Sequence, residues 1–142
     1  MDREIKFRAW NKEKEIMVYD NEDNSCDYWD GCYCSDIGMI NTVLNPKYNN
    51  VYDFMQYTGL HDKNGKEIYE GDIVLLDCYD YEEPLFSGEF KVIYDVEKGM
   101  WLLVDLENKD RDFTFGEIRS YYKAEIEAIG NEYDNPELLG GE

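Results

Sequence analysis

The chain has 142 residues, and a domain of that length buries roughly 68% of the surface its unfolded chain exposes, so a true core is within reach. Hydrophobic residues make up 43%, with 13 Tyr, 6 Phe and 3 Trp among them, so the low mean hydropathy describes a charged surface rather than a disordered chain. Against 14 basic residues stand 33 acidic ones, a formal net charge of -19; such a surface repels phosphate backbones, whose binding depends on Lys and Arg displacing counterions, and direct nucleic-acid binding is disfavoured.

Taken in chain order, MDREIKFRAW alternates charge with hydrophobe and lacks the apolar core of a signal peptide, and no window approaches the ~20 apolar residues of a membrane span. The expectation is a cytoplasmic protein without membrane contact, whose four cysteines are reduced and form no disulfide framework. Over residues 3–10 the alternation puts Ile5, Phe7 and Ala9 on one face and Lys6, Arg8 and Trp10 on the other, the period of a strand. Residues 21–50 dissolve into Asn, Asp, Cys, Gly and Tyr, with only 37–44 apolar enough for a short element, and read as an irregular insertion.

Short strands follow. Residues 51–59 and 67–69 flank Asn64-Gly65, a hairpin signal that predicts a type I′ turn with positive φ at both positions. Residues 72–78 (DIVLLDC) form a nearly continuous apolar run, predicting a strand buried on both faces. Residues 90–96 and 100–106 alternate on either side of Glu97-Lys98-Gly99 and predict a hairpin. A short strand at 113–115, a helical turn at 118–122, a closing strand at 124–130 and a turn or helix from Asn135-Pro136 complete the pattern. With no long amphipathic helix and no repeat, five or six strands predict a mainly β protein built on a small, strongly bent sheet or barrel. It forms a single domain over 1–142, with an N-terminal strand and insertion over 1–50 and a barrel-like core over 51–142.

Three local patterns bear on chemistry. HDKNGKEIYEGD has the composition of a calcium loop, but with Asp62 first and Asn64 third, the fifth, sixth and twelfth positions are Lys66, Glu67 and Ile73, which breaks the EF-hand register. Two turns, at Asn64-Gly65 and at Glu70-Gly71-Asp72, account for it better. Cys26, Cys32 and Cys34 share one loop while Cys78 lies far away, short of the paired ligands of a zinc site. His61 is the only imidazole, and no nucleophile elbow or phosphate loop accompanies it. No catalytic residue, cofactor or metal is assigned. The aromatic stretches DYWDGCYC and YDYEEPLF offer Trp29, Tyr33, Tyr79 and Tyr81 as candidate partner-binding residues, since Tyr and Trp dominate binding hot spots.

Three blocks, REIKFRAW at 3–10, MQYTGLHDKNGKEIYEGDIV at 55–74 and EAIGNEYDNPELL at 127–139, resemble the YopX family of small proteins typical of phages and prophages of Gram-positive bacteria. The resemblance implies a bent antiparallel sheet of the SH3-like barrel type with additional N-terminal elements, and it supplies no activity. Residues 21–50 and 77–88 follow no family pattern. The resulting expectation is a non-enzymatic accessory module that binds a host or phage protein, a basic one by charge, or a second copy of itself. Two alternatives stand beside it: a DNA mimic that occupies the groove of a basic nucleic-acid-binding protein, and a metal-dependent hydrolase built on clustered carboxylates.

Overall fold

The computed structural model describes residues 6–19, 52–119 and 123–139. The insertion expected over 21–50, with Trp29, Tyr33 and the three clustered cysteines, lies outside the described residues. The chain divides into two compact units, Met1–Gly59 and Leu60–Glu142.

In the first unit, β1 (Phe7–Asn11) lies between β2 (Ile16–Tyr19) and β3 (Tyr52–His61), antiparallel to both. Ala9, Val18 and Tyr52 are buried together with Phe7, Ile16 and Phe54 packed around them. The opposite face of β1 is covered as well. Arg8, only 2% exposed, stands opposite Tyr19 on one side and Met55 on the other. Its Nε donates to Met55 Sδ at 3.4 Å, and its guanidinium lies 6.0 Å from the Tyr19 ring centre. Lys6 likewise lies 5.4 Å from the Tyr57 ring. Planar or long apolar groups on the flanking strands thus cover the cationic face of a central strand, a use of arginine and lysine stems that leaves their charges against π-faces.

The strand β2 has no counterpart in the sequence expectations, because the loop before it carries neither Gly nor Pro. Asn11 organises that loop: its Oδ1 accepts from the amides of Glu13 and Lys14, both at 3.0 Å, and its carbonyl accepts from Glu15 N at 2.7 Å. Glu15 takes the left-handed conformation, φ 55°, which costs a non-glycine residue roughly 1–2 kcal/mol. Glu15→Gly removes that strain against a smaller entropic loss in the unfolded chain. Its expected effect is a gain of about 0.5 kcal/mol, read as a higher urea midpoint at unchanged slope.

The second unit is built on a five-stranded antiparallel sheet, curled into a half-barrel, in the order β8-β7-β6-β5-β9. Its strands are β5 (Asp72–Asp80), β6 (Glu83–Asp95), β7 (Met100–Asp105), β8 (Asp112–Thr114) and β9 (Lys123–Asn131). The short β4 (Glu67–Tyr69) is hydrogen-bonded beside β3. The mainly β, bent-sheet expectation therefore holds. The core is the concave face, where Val74, Leu76, Cys78, Phe90, Val92 and Leu103 meet Ile68 and Ile118.

Several local expectations change. The run at 72–78 is not buried on both faces: beyond Val74 the even positions Leu76 and Cys78 are core while Leu75, Asp77 and Tyr79 are half-buried on the convex face. The register shift opposite β9 at Ile73/Val74 explains why both of those residues are buried. The strand expected at 90–96 begins seven residues earlier, at Glu83, pairing with the end of β5 across a two-residue turn at Tyr81-Glu82. A second shift, between Cys78 and Tyr79, accommodates Pro84 within the ladder. The inner face of this arm packs: Phe86 stacks on Phe113 with ring centres 5.4 Å apart, and the Arg111 guanidinium lies 4.6 Å from the Phe86 ring.

The helical turn expected at 118–122 is instead α1, Phe115–Arg119. Thr114 and Glu117 fix its start reciprocally. Glu117 N donates to Thr114 Oγ1 at 2.9 Å, and Thr114 N donates to Glu117 Oε1 at 2.8 Å, the capping box that T-F-G-E spells. At the other end of β9, Pro136 opens a 3-10 helix, Pro136–Leu139, in agreement with the sequence.

Candidate functional site

The loop between β3 and β4 positions the site. Asn64 does not share the positive φ expected of a type I′ turn; only Gly65 does, at 85°. Gly65 N donates to the Asp62 carbonyl at 3.0 Å and Asp62 N to the Lys66 carbonyl at 2.8 Å. That is a type I turn closed by a glycine bulge, the three-residue alternative to the two-residue hairpin loop. Asp62 holds it from within. Its Oδ1 accepts from Asn64 N at 2.8 Å and Lys66 N at 2.9 Å, and its Oδ2 accepts from Ala128 N at 2.9 Å, on β9. Burial pushes the Asp62 carboxyl up, but the backbone donors of Ala128, Lys66 and Asn64, aided by the Lys66 charge, outweigh it and leave its pKa below the usual value. Both carboxylate oxygens are committed to amides, so this aspartate serves the fold. The neighbouring turn follows the same rule, with Tyr69 N donating to Asp72 Oδ2 at 2.8 Å and Gly71 at φ 89°.

The loop also docks on β9, where Lys63 N donates to the Ile126 carbonyl at 2.8 Å. This contact and the Asp62–Ala128 bond show that Ile126 and Ala128 turn their backbone groups away from β5. By the period of two, Ala124 does the same. The loop therefore covers the outer edge of β9 from Ile126 onward. Before it, the N–H and C=O of Ala124 and the N–H of Ile126 open on a cleft of about 470 Å³. Leu60 and His61 from β3, Ile68 from β4 and Phe115 and Ile118 from α1 complete its walls. Ile118 and Ile68 are core residues, so the floor is apolar and fixed, while His61, Lys63 and Lys123 stand exposed at the rim.

Charges gather on the convex face beside this edge. Glu125 lies directly opposite Asp77, and Leu75 has Glu127 on one side and Glu89 on the other. Like charges facing each other across a ladder are destabilising. Two lysines relieve them in part: Lys63 lies 4.0 Å from Glu125 and 3.8 Å from Glu127, and Lys123 lies 3.6 Å from Glu125. Such half-exposed ion pairs are worth little and are easily exchanged.

Of the four candidate binding residues, Trp29 and Tyr33 lie outside the described residues. The Tyr79 ring is half-buried, with the Lys123 ammonium 5.4 Å from its centre. Tyr81, at φ 63°, forms the tip of the β5–β6 turn and is 68% exposed, near Leu85 at 50%. The structure thus carries Tyr79 to the neighbourhood of the cleft and leaves Tyr81 at the far end of the arm. His61, Asp62, Lys63 and Ile68 fall in the HDKNGKEIYEGD motif, but the other cleft residues carry no sequence signal of their own, because they come from separate elements; the legible clue to them was the T-x-x-E box that places α1.

Cys78 is buried in the core. Burial, with a smaller contribution from Asp77 and against a lowering by Arg111, pushes its thiol up to about 11. At neutral pH the reactive thiolate is therefore scarce. Native Cys78 should react with iodoacetamide at least ~100-fold more slowly than in the urea-unfolded chain, as measured by peptide mass spectrometry. Among the described residues no three His, Cys, Asp or Glu side chains are grouped to hold a metal ion. Also among them, no helix is long and apolar enough to cross a membrane.

Fold and site together define a small antiparallel half-barrel protein with a cleft of apolar floor and charged rim running along a sheet edge. The profile of the YopX protein family matches residues 6–140, and the chain belongs to that family. Among solved structures it is similar to the protein EF1440 from Enterococcus faecalis, at 26% identity and a TM-score of 0.57, over 97% of this chain and 99% of that one. A search of curated proteins returned no match.

Proposed function

We propose that this YopX protein is a non-enzymatic protein-binding module, encoded by a phage or prophage and acting in the cytoplasm of the host cell. The observation that carries this reading is the cleft beside β9, where an apolar floor, exposed cationic rim groups and outward-facing backbone groups lie together. Apolar pockets with a few convergent polar groups are the usual form of a binding site. The side chains at the cleft include one imidazole, two ammonium groups and two carboxylates, Asp62 engaged by backbone amides and Glu125 by lysine. The net charge of -19 favours a basic partner through long-range attraction.

Affinity purification of the tagged protein from host cells tests the reading, with Glu125→Lys as a surface control at the cleft. The expected result is one protein recovered with wild type and reduced at least tenfold with the variant, whose melting temperature is unchanged. Recovery of the same protein by both forms would move the site elsewhere. Consistent recovery of none, with turnover of a metabolite, would replace the binding reading with an enzymatic one.

A second reading, the DNA mimic, is favoured by the placement of Asp77, Glu89, Glu125 and Glu127 on one face. Lys63 and Lys123 interrupt that row, which ranks it below a general protein-binding role. Displacement of double-stranded DNA from the captured partner by the purified chain would support mimicry.

A further inference from the structure

The backbone geometry of the cleft specifies more than a pocket. We propose that the cleft takes an extended segment of a partner protein as an added strand beside β9, a segment that alternates apolar residues with Lys or Arg. This rests on the protein-binding reading above and names the partner's chemistry.

Strand β9 ends the sheet order of the half-barrel. The Ile126 carbonyl and Ala128 amide, both aimed away from β5, are already used by the loop at Asp62 and Lys63. One repeat earlier, the N–H and C=O of Ala124 and the N–H of Ile126 point the same way, with no partner among the described residues. Two donors and an acceptor spaced along an edge are what an antiparallel strand needs to begin a ladder, the basis of recognition by strand addition. An edge left open in this way is ordinarily covered or charged. Here the loop at Asp62 and Lys63 covers the second half, and among the described residues no strand pairs with the first half, which borders the cleft.

The alternation follows from the two sides of the edge. Successive side chains of an added strand point to opposite faces. Those turned inward join Ala124 and Ile126, which pack on the core, and enter the space walled by Leu60, Ile68 and Phe115. Those turned outward meet the convex face, where Glu125 and Glu127 stand on β9 with Asp77 beside them on β5. Of the four carboxylates on that face, counting Glu89, Glu125 and Glu127 are offset by the ammonium groups of Lys63 and Lys123 at 3.6–4.0 Å, and among the described residues Asp77 and Glu89 stand in no ion pair. Lys or Arg from the partner completes that count and relieves the Asp77–Glu125 opposition, whereas Asp or Glu adds to it. Apolar inward and basic outward is thus set by charge complementarity.

The test uses the isotopically labelled full chain and three short, end-blocked peptides. One alternates valine and lysine, one has the same composition in two blocks, and one alternates valine and glutamate. Amide shifts and hydrogen exchange are followed at moderate salt. The alternating valine–lysine peptide is expected to give saturable shifts and to slow exchange of the Ala124 and Ile126 amides at least tenfold. The block peptide should bind at least tenfold more weakly, and the glutamate peptide should leave these amides unchanged. The Glu125→Lys, Glu127→Lys double variant, folded by the criterion of unchanged core amides, should lose at least tenfold in affinity for the first peptide. Diffuse shifts over the convex face without slowing at Ala124 and Ile126, equal binding of the block peptide, or no binding would each overturn strand addition. If the affinity purification still recovers a Glu125-dependent partner in that case, the binding reading stands and only this inference falls; if it recovers none, both fall.

Discussion

Asp62→Ala is expected to destabilise the protein by about 3–4 kcal/mol. The aspartate is 7% exposed and accepts three backbone N–H bonds, two inside its own loop and one from Ala128, 66 residues away. A hydrogen bond to a charged group contributes about 1.5–3 kcal/mol, and truncation leaves its donors unsatisfied. The three contributions are not additive, since a loosened loop admits water to Asn64 and Lys66. Asp62→Asn keeps one amide oxygen and should lose about half as much. Urea unfolding at neutral pH measures both.

The same residue sets a pH dependence. Its folded pKa lies below the unfolded value, so its stabilisation is fully present above about pH 4, the unfolded aspartate value, and is lost as pH falls through the folded pKa. The stability difference between wild type and Asp62→Asn should therefore be constant near neutrality and shrink on acidification below about pH 4. A difference that grew in acid would mean the carboxyl is stabilised in its protonated form.

The second large effect is expected at Gly130, in the EAIGNEYDNPELL block. A Cβ built there falls 2.5 Å from Asn135 Oδ1, 2.8 Å from its Cγ and 3.0 Å from Leu138 Cδ1. Asn135 has no free room to retreat. Its Oδ1 accepts from Asn131 N at 3.2 Å, its amide donates to the Asn131 carbonyl at 2.9 Å, and its carbonyl accepts from Leu138 N at 3.0 Å, opening the 3-10 helix. Asn131 in turn accepts from Tyr133 N and Asp134 N at 2.9 and 2.8 Å. Gly130→Ala must break the Asn131–Asn135 bond or push Leu138 outward, an overpacking that costs about 1–3 kcal/mol. Thermal unfolding should show it, and Asn135→Ala in the same chain should recover part of the loss by removing the atoms that clash. Full additivity of the two changes would contradict the proposed contact.

These two residues show what the family signature does. The stretch YTGLHDKNGKEIYEGDIV and the closing block meet at Asp62–Ala128, Lys63 bonds to Ile126 one residue before that block, and Gly71 joins them again through Glu132 N at 3.0 Å. The composition of a metal loop turns out to be that of a buckle: Asp to accept amides, Gly for positive φ, Lys at the rim. Turn chemistry of this kind is local, and so it was legible in the sequence along with the strands it joins.

What was not legible depended on tertiary context. The strand β2 was hidden because a glutamate fills the left-handed position that glycine normally marks. The first half of β6 reads as an acidic loop, EEPLFSG, yet pairing with β5 makes it a strand, with Pro84 tolerated at a register shift and Phe86 anchored on Phe113 and Arg111. The position of α1 was written in its capping box, four residues before the helical turn expected at 118–122. The burial of Arg8 could not be seen at all, because Tyr19 and Met55, which cover it, come from the two flanking strands. The cleft has the same origin: Leu60, Ile68, Phe115 and Ala124 are unremarkable singly and converge only when the sheet curls. The acidic arm at residues 77–88, which the sequence singled out as lacking a family pattern, contributes Asp77 to the charged face, beside Glu89, and a folded hairpin to the rest.

The most direct measurement of the binding account is amide exchange in the complex of the chain with the protein captured from its host. The account predicts that the Ala124 and Ile126 amides, exchanging freely in the isolated chain, become protected in the complex while the β5–β6 tip at Tyr81 does not. Protection confined to the Tyr81 tip, with Ala124 and Ile126 exchanging as before, would contradict it.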